Sequence, residues 1–222
     1  MNDDFIERRD EIQKYFQFIE SLSDGTHRVL LSTSNSEAYA SSELTDIIKT
    51  FKANAFLLLY NLVESTVKNG IEAIFDELQA KSIDFDSCRE ELRKIVLHGL
   101  RKRNVDKVVP QIAAIAKDVI GIAFRKDELF AGNVDARAIR KTAQIYGFIS
   151  PKKKSDQLVI VKDNRNDLAH GNKSFGEVGR DYSMLRLEEI RKEVFAYLEE
   201  LNANVETYIS EQRYLHSKVV AL

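Results

Sequence analysis

Apolar residues recur at three- and four-residue steps along most of this chain, the period of a helix with one buried face. From Asp4 to about Ser21, Phe5, Ile6, Ile12, Tyr15, Phe16, Phe18 and Ile19 form a stripe that predicts a first helix. Arg28-Val-Leu-Leu31 reads as loop, since one short strand would have nothing to pair with, and the polar run Ser32 to Ser42 continues it. Ser42 with Thr45 or Asp46 offers N-cap chemistry for a second helix reaching about Gln79. Between Phe51 and Phe75 that helix is apolar nearly all round, which predicts a place at the centre of a bundle. A third helix is expected over about Asp86 to Arg101, with Leu92, Ile95, Val96 and Leu100 on one face. A fourth starts at Asn104 or Asp106 and runs through Pro110, which a first turn tolerates. Gly132-Asn133 breaks the chain, and Val134 to Tyr146 forms a fifth helix that Gly147 ends. After the solvated turn Ser150 to Lys154, a sixth runs from about Asp156 to His170 and stops at Gly171-Asn172. Leu187, Ile190, Val194, Leu198, Leu201, Val205 and Tyr208 define the last helix.

Three of the nine glycines, Gly171, Gly176 and Gly179, fall in one short stretch, which predicts a loop that is mobile or closely approached. Neither an internal repeat nor a linker interrupts the pattern. The expectation is an all-α fold, a single helical bundle of about six or seven helices spanning 1–222. Within it, residues 1–40 are a helix-and-loop extension and 41–222 the bundle core.

Composition supports that picture. With 44% hydrophobic and 31% charged residues the 222-residue chain is globular, and 2 prolines with 9 glycines are too few for a loop-rich β fold. The single cysteine, Cys88, excludes an internal disulfide framework and a cysteine-based zinc site, and reads as a semi-buried helical residue. A net charge of −2 gives no global argument for nucleic acid, so any such surface must be a local patch. The charged start MNDDFIERRDEIQKYF has no apolar core of a secretory signal. The most apolar run, Ala53 to Val63, falls short of the roughly 20 residues that span a bilayer. A cytoplasmic location with no membrane partner is expected.

The common nucleotide, zinc-protease, calcium and serine-hydrolase motifs are absent, and the four histidines show no i, i+4 pairing for a metal. No metal and no cofactor are therefore expected. One segment stands out: Arg165-Asn166-Asp167-Leu168-Ala169-His170-Gly171. At roughly 100° per residue Asn166 and His170 share a helix face, and the long Arg165 side chain can swing to the same patch. Histidine moves a proton near neutral pH, arginine neutralises a phosphorane-like charge bidentately, and an amide orients either; such a set can do phosphodiester chemistry without a metal. With 15 arginines and 4 histidines, chance gives on the order of 0.3 Arg-x4-His matches, and roughly 0.04 once Asn, Asp or His must follow the arginine. The second match, Arg93 to His98, fails that test, and its spacer includes core-stripe residues, so His98 reads as structural.

RNDLAHG resembles the Arg-x4-6-His motif of the HEPN superfamily, whose RNA-cleaving members usually carry a polar residue after the arginine. Leu59-Tyr-Asn-Leu-Val-Glu64, Gly132-Asn-Val-Asp-Ala-Arg137, Tyr146-Gly-Phe148 and Ser174-Phe-Gly-Glu-Val-Gly179 extend the likeness to the small stand-alone bacterial (MAE-type) HEPN proteins near defence genes, over roughly residue 40 to the C-terminus. The resemblance implies a helical homodimer in which two motifs face each other in one cleft. It implies a metal-independent endoribonuclease, toxin-like or anti-phage. In such enzymes the ribose 2′-OH attacks the adjacent phosphate and leaves a 2′,3′-cyclic phosphate and a 5′-OH. Arg165 and His170 take the catalytic roles and Asn166 the supporting one. An antitoxin or defence-system protein is an implied partner, beside the RNA substrate. The alternative within the family is a non-catalytic module that dimerises or binds a partner protein or nucleotide. HEPN toxins controlled by a nucleotidyltransferase carry a tyrosine two residues after the histidine; here that position is Asn172, which puts that mode of control in doubt.

Further candidates are weaker. Glu64, and with it Asp167, can support the motif: Glu64 interrupts an apolar helix and either pairs with Arg165 or sits on the helix's wet edge. Between Arg89 and Lys107 seven basic residues face three acidic ones. Arg101, Lys102 and Arg103 there, and Lys152, Lys153 and Lys154 further on, are RNA-binding candidates or simply solvated faces.

Overall fold

The computed structural model describes residues 2–26, 41–101, 133–154 and 156–216. Among them seven α-helices form and no strand: α1 Asn2–Ser23, α2 Ser41–Ala80, α3 Glu90–Arg101, α4 Ala136–Tyr146, α5 Asp156–Ala169, α6 Phe175–Asp181 and α7 Met184–Ser210. The protein is all-α. The expected loop at 28–31, most of the run 32–42 and the expected fourth helix lie outside the described residues. No helix among the described residues is long and apolar enough to cross a membrane. The chain divides into two compact units, one made of 2–64 with 153–198 and the other of 65–152 with 199–222, so the divisions fall inside α2 and α7.

In the first unit α1 buries Phe5, Ile12, Phe16, Ile19 and Leu22, whereas Ile6 and Phe18 of the expected stripe are exposed. Five residues at three-, four- and seven-residue steps make one narrow face, and the two outliers stand beside it. Arg191 of α7, only 7% exposed, ties α1 in place. Its guanidinium pairs with Glu188 at 2.6 Å, bonds the Gln13 amide oxygen and lies over the rings of Phe16 and Phe195. A buried guanidinium is tolerable because these partners replace its water.

The stretch 171–179, expected as a loop, is half helix. Ser174 caps α6 by accepting from the Glu177 backbone N–H at 3.2 Å, and the Glu177 carboxylate accepts in return from the Ser174 N–H at 2.8 Å. This capping box starts a helix where glycine density argued against one. The Ser174 N–H and then the Ser174 hydroxyl, both donating to that carboxylate, hold the Glu177 carboxyl below its ordinary range. The close approach that the glycines allowed for does occur, at Gly179: a Cβ there would lie 1.8 Å from the Lys49 carbonyl oxygen of α2.

In the second unit the third helix starts later than expected. Phe85–Ser87 form a 3-10 turn, and the chain is extended at Cys88 before α3 begins. The reason is a tertiary tie: the Arg89 N–H donates to the Tyr214 carbonyl at 2.9 Å, and Cys88 bridges Leu215. Cys88 is thus buried but not helical, and burial pushes its thiol up to about 11. Arg89 joins Glu91 at 2.8 Å and the Gly147 carbonyl at 3.2 Å. Gly147 ends α4 at φ 89, a left-handed conformation that favours glycine, and a Cβ there would displace the end of the Arg89 side chain. The buried Tyr208 hydroxyl of α7 donates to the Tyr146 carbonyl at 2.8 Å and fixes the same corner.

Candidate active site

The motif lies at the C-terminal end of α5, within the first unit. Leu158, Val161, Asn164 and Leu168 form the buried face of this helix. Position 165 therefore falls at the margin of that face and 166 and 170 beyond it. Arg165, Asn166 and Asp167 are half-buried and His170 is exposed.

How α5 ends decides where His170 stands. Gly171 adopts φ +70, the left-handed conformation that stops a helix. The Asn172 N–H donates to the Asp167 carbonyl at 2.9 Å and the Gly171 N–H to the Leu168 carbonyl at 3.3 Å. These two bonds make a Schellman cap with His170 as the last half-helical residue. Its own N–H still donates to the Asn166 carbonyl at 2.9 Å, so the two side chains share a face, as the spacing requires. The Asp167 carboxylate pairs with Lys173 at 3.3 Å and so helps hold the turn that follows the histidine.

Arg165 is held by an aromatic ring and by its own neighbour. Its guanidinium lies over the Tyr60 ring at 4.6 Å and donates to the Asn166 side-chain oxygen at 3.0 Å. Tyr60 is 1% exposed, and a cation against a desolvated ring is worth on the order of 1–2 kcal/mol. The amide bond turns Arg165 towards the face that Asn166 shares with His170, and a single helix end thus assembles a guanidinium, an amide and an accessible imidazole.

Glu64 is half-buried on α2, one turn beyond Tyr60. Lys152, Lys153 and Lys154 are exposed, and the Lys152 N–H donates to the Glu200 carboxylate at 3.0 Å. Arg101 is the last residue of α3, and Lys102 and Arg103 lie outside the described residues. His98 was expected to be structural, yet it is exposed and its neighbour Leu97 is 56% exposed. The buried face of α3 is carried by Leu92 and Val96, which leaves position 98 towards solvent. Among the described residues no three of His, Cys, Asp or Glu gather in a way that could hold a metal ion.

Sequence reasoning missed Tyr60, Asn164 and Tyr182. Asn164 was readable: it takes a core position on the stripe Leu158, Val161, Leu168, and a buried amide needs partners. It finds the Ile160 carbonyl and the Tyr182 hydroxyl, each at 2.9 Å. Nothing in the sequence pairs Tyr60 with residue 165; that contact exists only because α5 packs on α2. Lower on the same stretch of α2, burial and then the neighbouring Lys49 lower the affinity of Lys52 for its proton.

Comparison with known proteins agrees with the helical architecture. The profile of the MAE_28990-like HEPN family matches residues 1–214. No curated protein and no solved structure matches the chain. With nearly its whole length matched, the chain belongs to the MAE_28990-like HEPN family.

Proposed function

We propose that the protein is a metal-independent endoribonuclease, toxin-like or defensive in role, that acts as a homodimer. The observation that supports this most is the end of α5: Arg165 is held by Tyr60 and Asn166, and His170 is presented to solvent by a Schellman cap. The ribose 2′-OH attacks the adjacent phosphorus in line. His170 exchanges the proton of the attacking or leaving oxygen, Arg165 balances the charge that builds on the phosphoryl oxygens, and Asn166 orients the guanidinium. The products are a 2′,3′-cyclic phosphate and a 5′-hydroxyl.

One imidazole is a thin set for both general acid and general base. Two copies related by a two-fold axis near the ends of α5 supply both, and each arginine then has a counterpart. Arg101, Lys102, Arg103 and Lys152 to Lys154 are candidate contacts to the RNA backbone, and an antitoxin or defence-system protein is the partner such an activity requires. A cytoplasmic location fits this role.

The test is cleavage by wild type, Arg165→Ala and His170→Ala, together with sedimentation of each. The proposal expects both variants to lose nearly all cleavage while dimerisation is kept, because a helix-end side chain carries little interface area. A monomer that still cleaves RNA would refute the composite site. Wild type that binds a partner but leaves RNA intact would instead establish a non-catalytic module.

A further inference from the structure

Asn164 and Arg165 are adjacent in α5, and each is fastened to a tyrosine. Asn164, 7% exposed, donates to the Tyr182 hydroxyl at 2.9 Å, while Arg165 covers the ring of Tyr60. Tyr182 caps the C-terminal end of α6. Its ring packs edge-on against Phe56, 4.7 Å between centroids, and its carbonyl accepts from Lys52 Nζ at 2.6 Å. Phe56 and Tyr60 are one turn apart on α2. Both tyrosines are thus referred to the same helix, one through the packing of its ring and its backbone, the other by belonging to it.

Burial of Leu158, Val161 and Leu168 sets which face of α5 turns inward, but an apolar contact is non-directional and opposes small rotations only weakly. The hydrogen bond from Asn164 to Tyr182 is directional, and it acts on the residue next to the arginine. At the roughly 5–6 Å radius of a helix's side-chain surface, a rotation of about 10° moves a group by about 1 Å. Misplacement of that size can lower a rate by about 100-fold.

We propose that Tyr182 is a positioning residue for the motif: through Asn164 it sets the rotation of α5, so that Arg165 stays over Tyr60 and against Asn166. This rests on the reading of Arg165 as the group that balances phosphoryl charge. Tyr182 itself touches no reacting atom. Gly179 belongs to the same device, because only glycine lets α6 press on the Lys49 carbonyl and bring Tyr182 to Phe56.

The experiment uses the full chain and two variants that remove the bond from opposite sides, Tyr182→Phe and Asn164→Ala. Side-chain NMR of arginine reads the ring-current displacement of Arg165 over Tyr60. Arg191, over Phe16 and Phe195, serves as the internal control for folding. The proposal expects the Arg165 displacement to fall by about half or more while that of Arg191 is unchanged. That result in either variant supports it; every other pattern in the pair overturns it, including parallel loss at Arg191 in both. In a cleavage assay the same variants are expected to lose roughly 10- to 100-fold in kcat with KM within about twofold. Wild type without cleavage overturns the ribonuclease reading alone, and the NMR comparison still decides whether Tyr182 positions Arg165.

Discussion

Gly176 and Gly179 lie one turn apart in the seven-residue helix α6, and alanine at the two positions has opposite consequences. A Cβ at Gly176 meets only the Ser174 hydroxyl, at 3.9 Å, an ordinary contact. A Cβ at Gly179 lies 1.8 Å from the Lys49 carbonyl oxygen, 2.5 Å from its carbon and 2.7 Å from its Cα, all backbone. Real Cβ contacts do not fall under 3.0 Å, so α6 must withdraw by at least 1.2 Å (3.0 less 1.8). No rotamer change relieves this. Overpacking of a fitted contact costs about 1–3 kcal/mol, and a clash with backbone belongs at the upper end. For a chain of this length about 3 kcal/mol lowers the melting temperature by roughly 6–12 °C. Gly176→Ala instead gains helix propensity, a few tenths to about 1 kcal/mol, and raises it slightly. Thermal unfolding of wild type and both variants by circular dichroism measures the difference. Equal stability of Gly179→Ala and wild type, or a shift of the same sign in both variants, would show that α6 does not seat on α2 as described.

Gly171→Ala has nothing within 4 Å to strike, but its φ of +70 costs an alanine about 1–2 kcal/mol, so urea unfolding should show a loss of that size and Gly171→Asn a smaller one. Acid stability should depend on Glu91, whose carboxyl the Arg89 hydrogen bond holds at about 2 rather than 4.5. Because the folded value is the lower one, the contribution is present above the unfolded value and disappears as pH falls from about 4 to about 2. Wild type and Glu91→Gln should therefore differ in urea midpoint at pH 5 and converge near pH 2; a constant difference contradicts the pairing. Any RNA cleavage should persist in excess EDTA, and loss restored by a divalent ion would count against a site built from Arg165, Asn166 and His170 alone.

The helices were legible where apolar periodicity is long. α2, α4 and α5 lie within two residues of the ends that their stripes and breakers indicate, and α7 within three. The departures come from tertiary ties. α3 starts late because Arg89 and Cys88 are fastened to residues 214 and 215, more than a hundred positions away. α6 stands where three glycines predict a loop, because the Ser174/Glu177 capping box is the stronger local signal. The motif itself was visible as a polar segment at a helix end, and the Gly171 stop placed His170 there. What holds Arg165 was not visible. The ring of Tyr60 on α2, one turn before Glu64, lies under its guanidinium. A buried ring as the neighbour of a cation becomes visible only once two helices are packed.

The ribonuclease reading is tested most directly by the end chemistry of cleaved RNA. Purified protein is incubated with total RNA in EDTA, beside Arg165→Ala and His170→Ala, and the fragments are mapped and their termini identified. The account predicts fragments ending in 2′,3′-cyclic phosphate and beginning with 5′-hydroxyl from wild type only. Intact RNA from wild type, equal cleavage by the variants, or fragments carrying 5′-phosphate would contradict it.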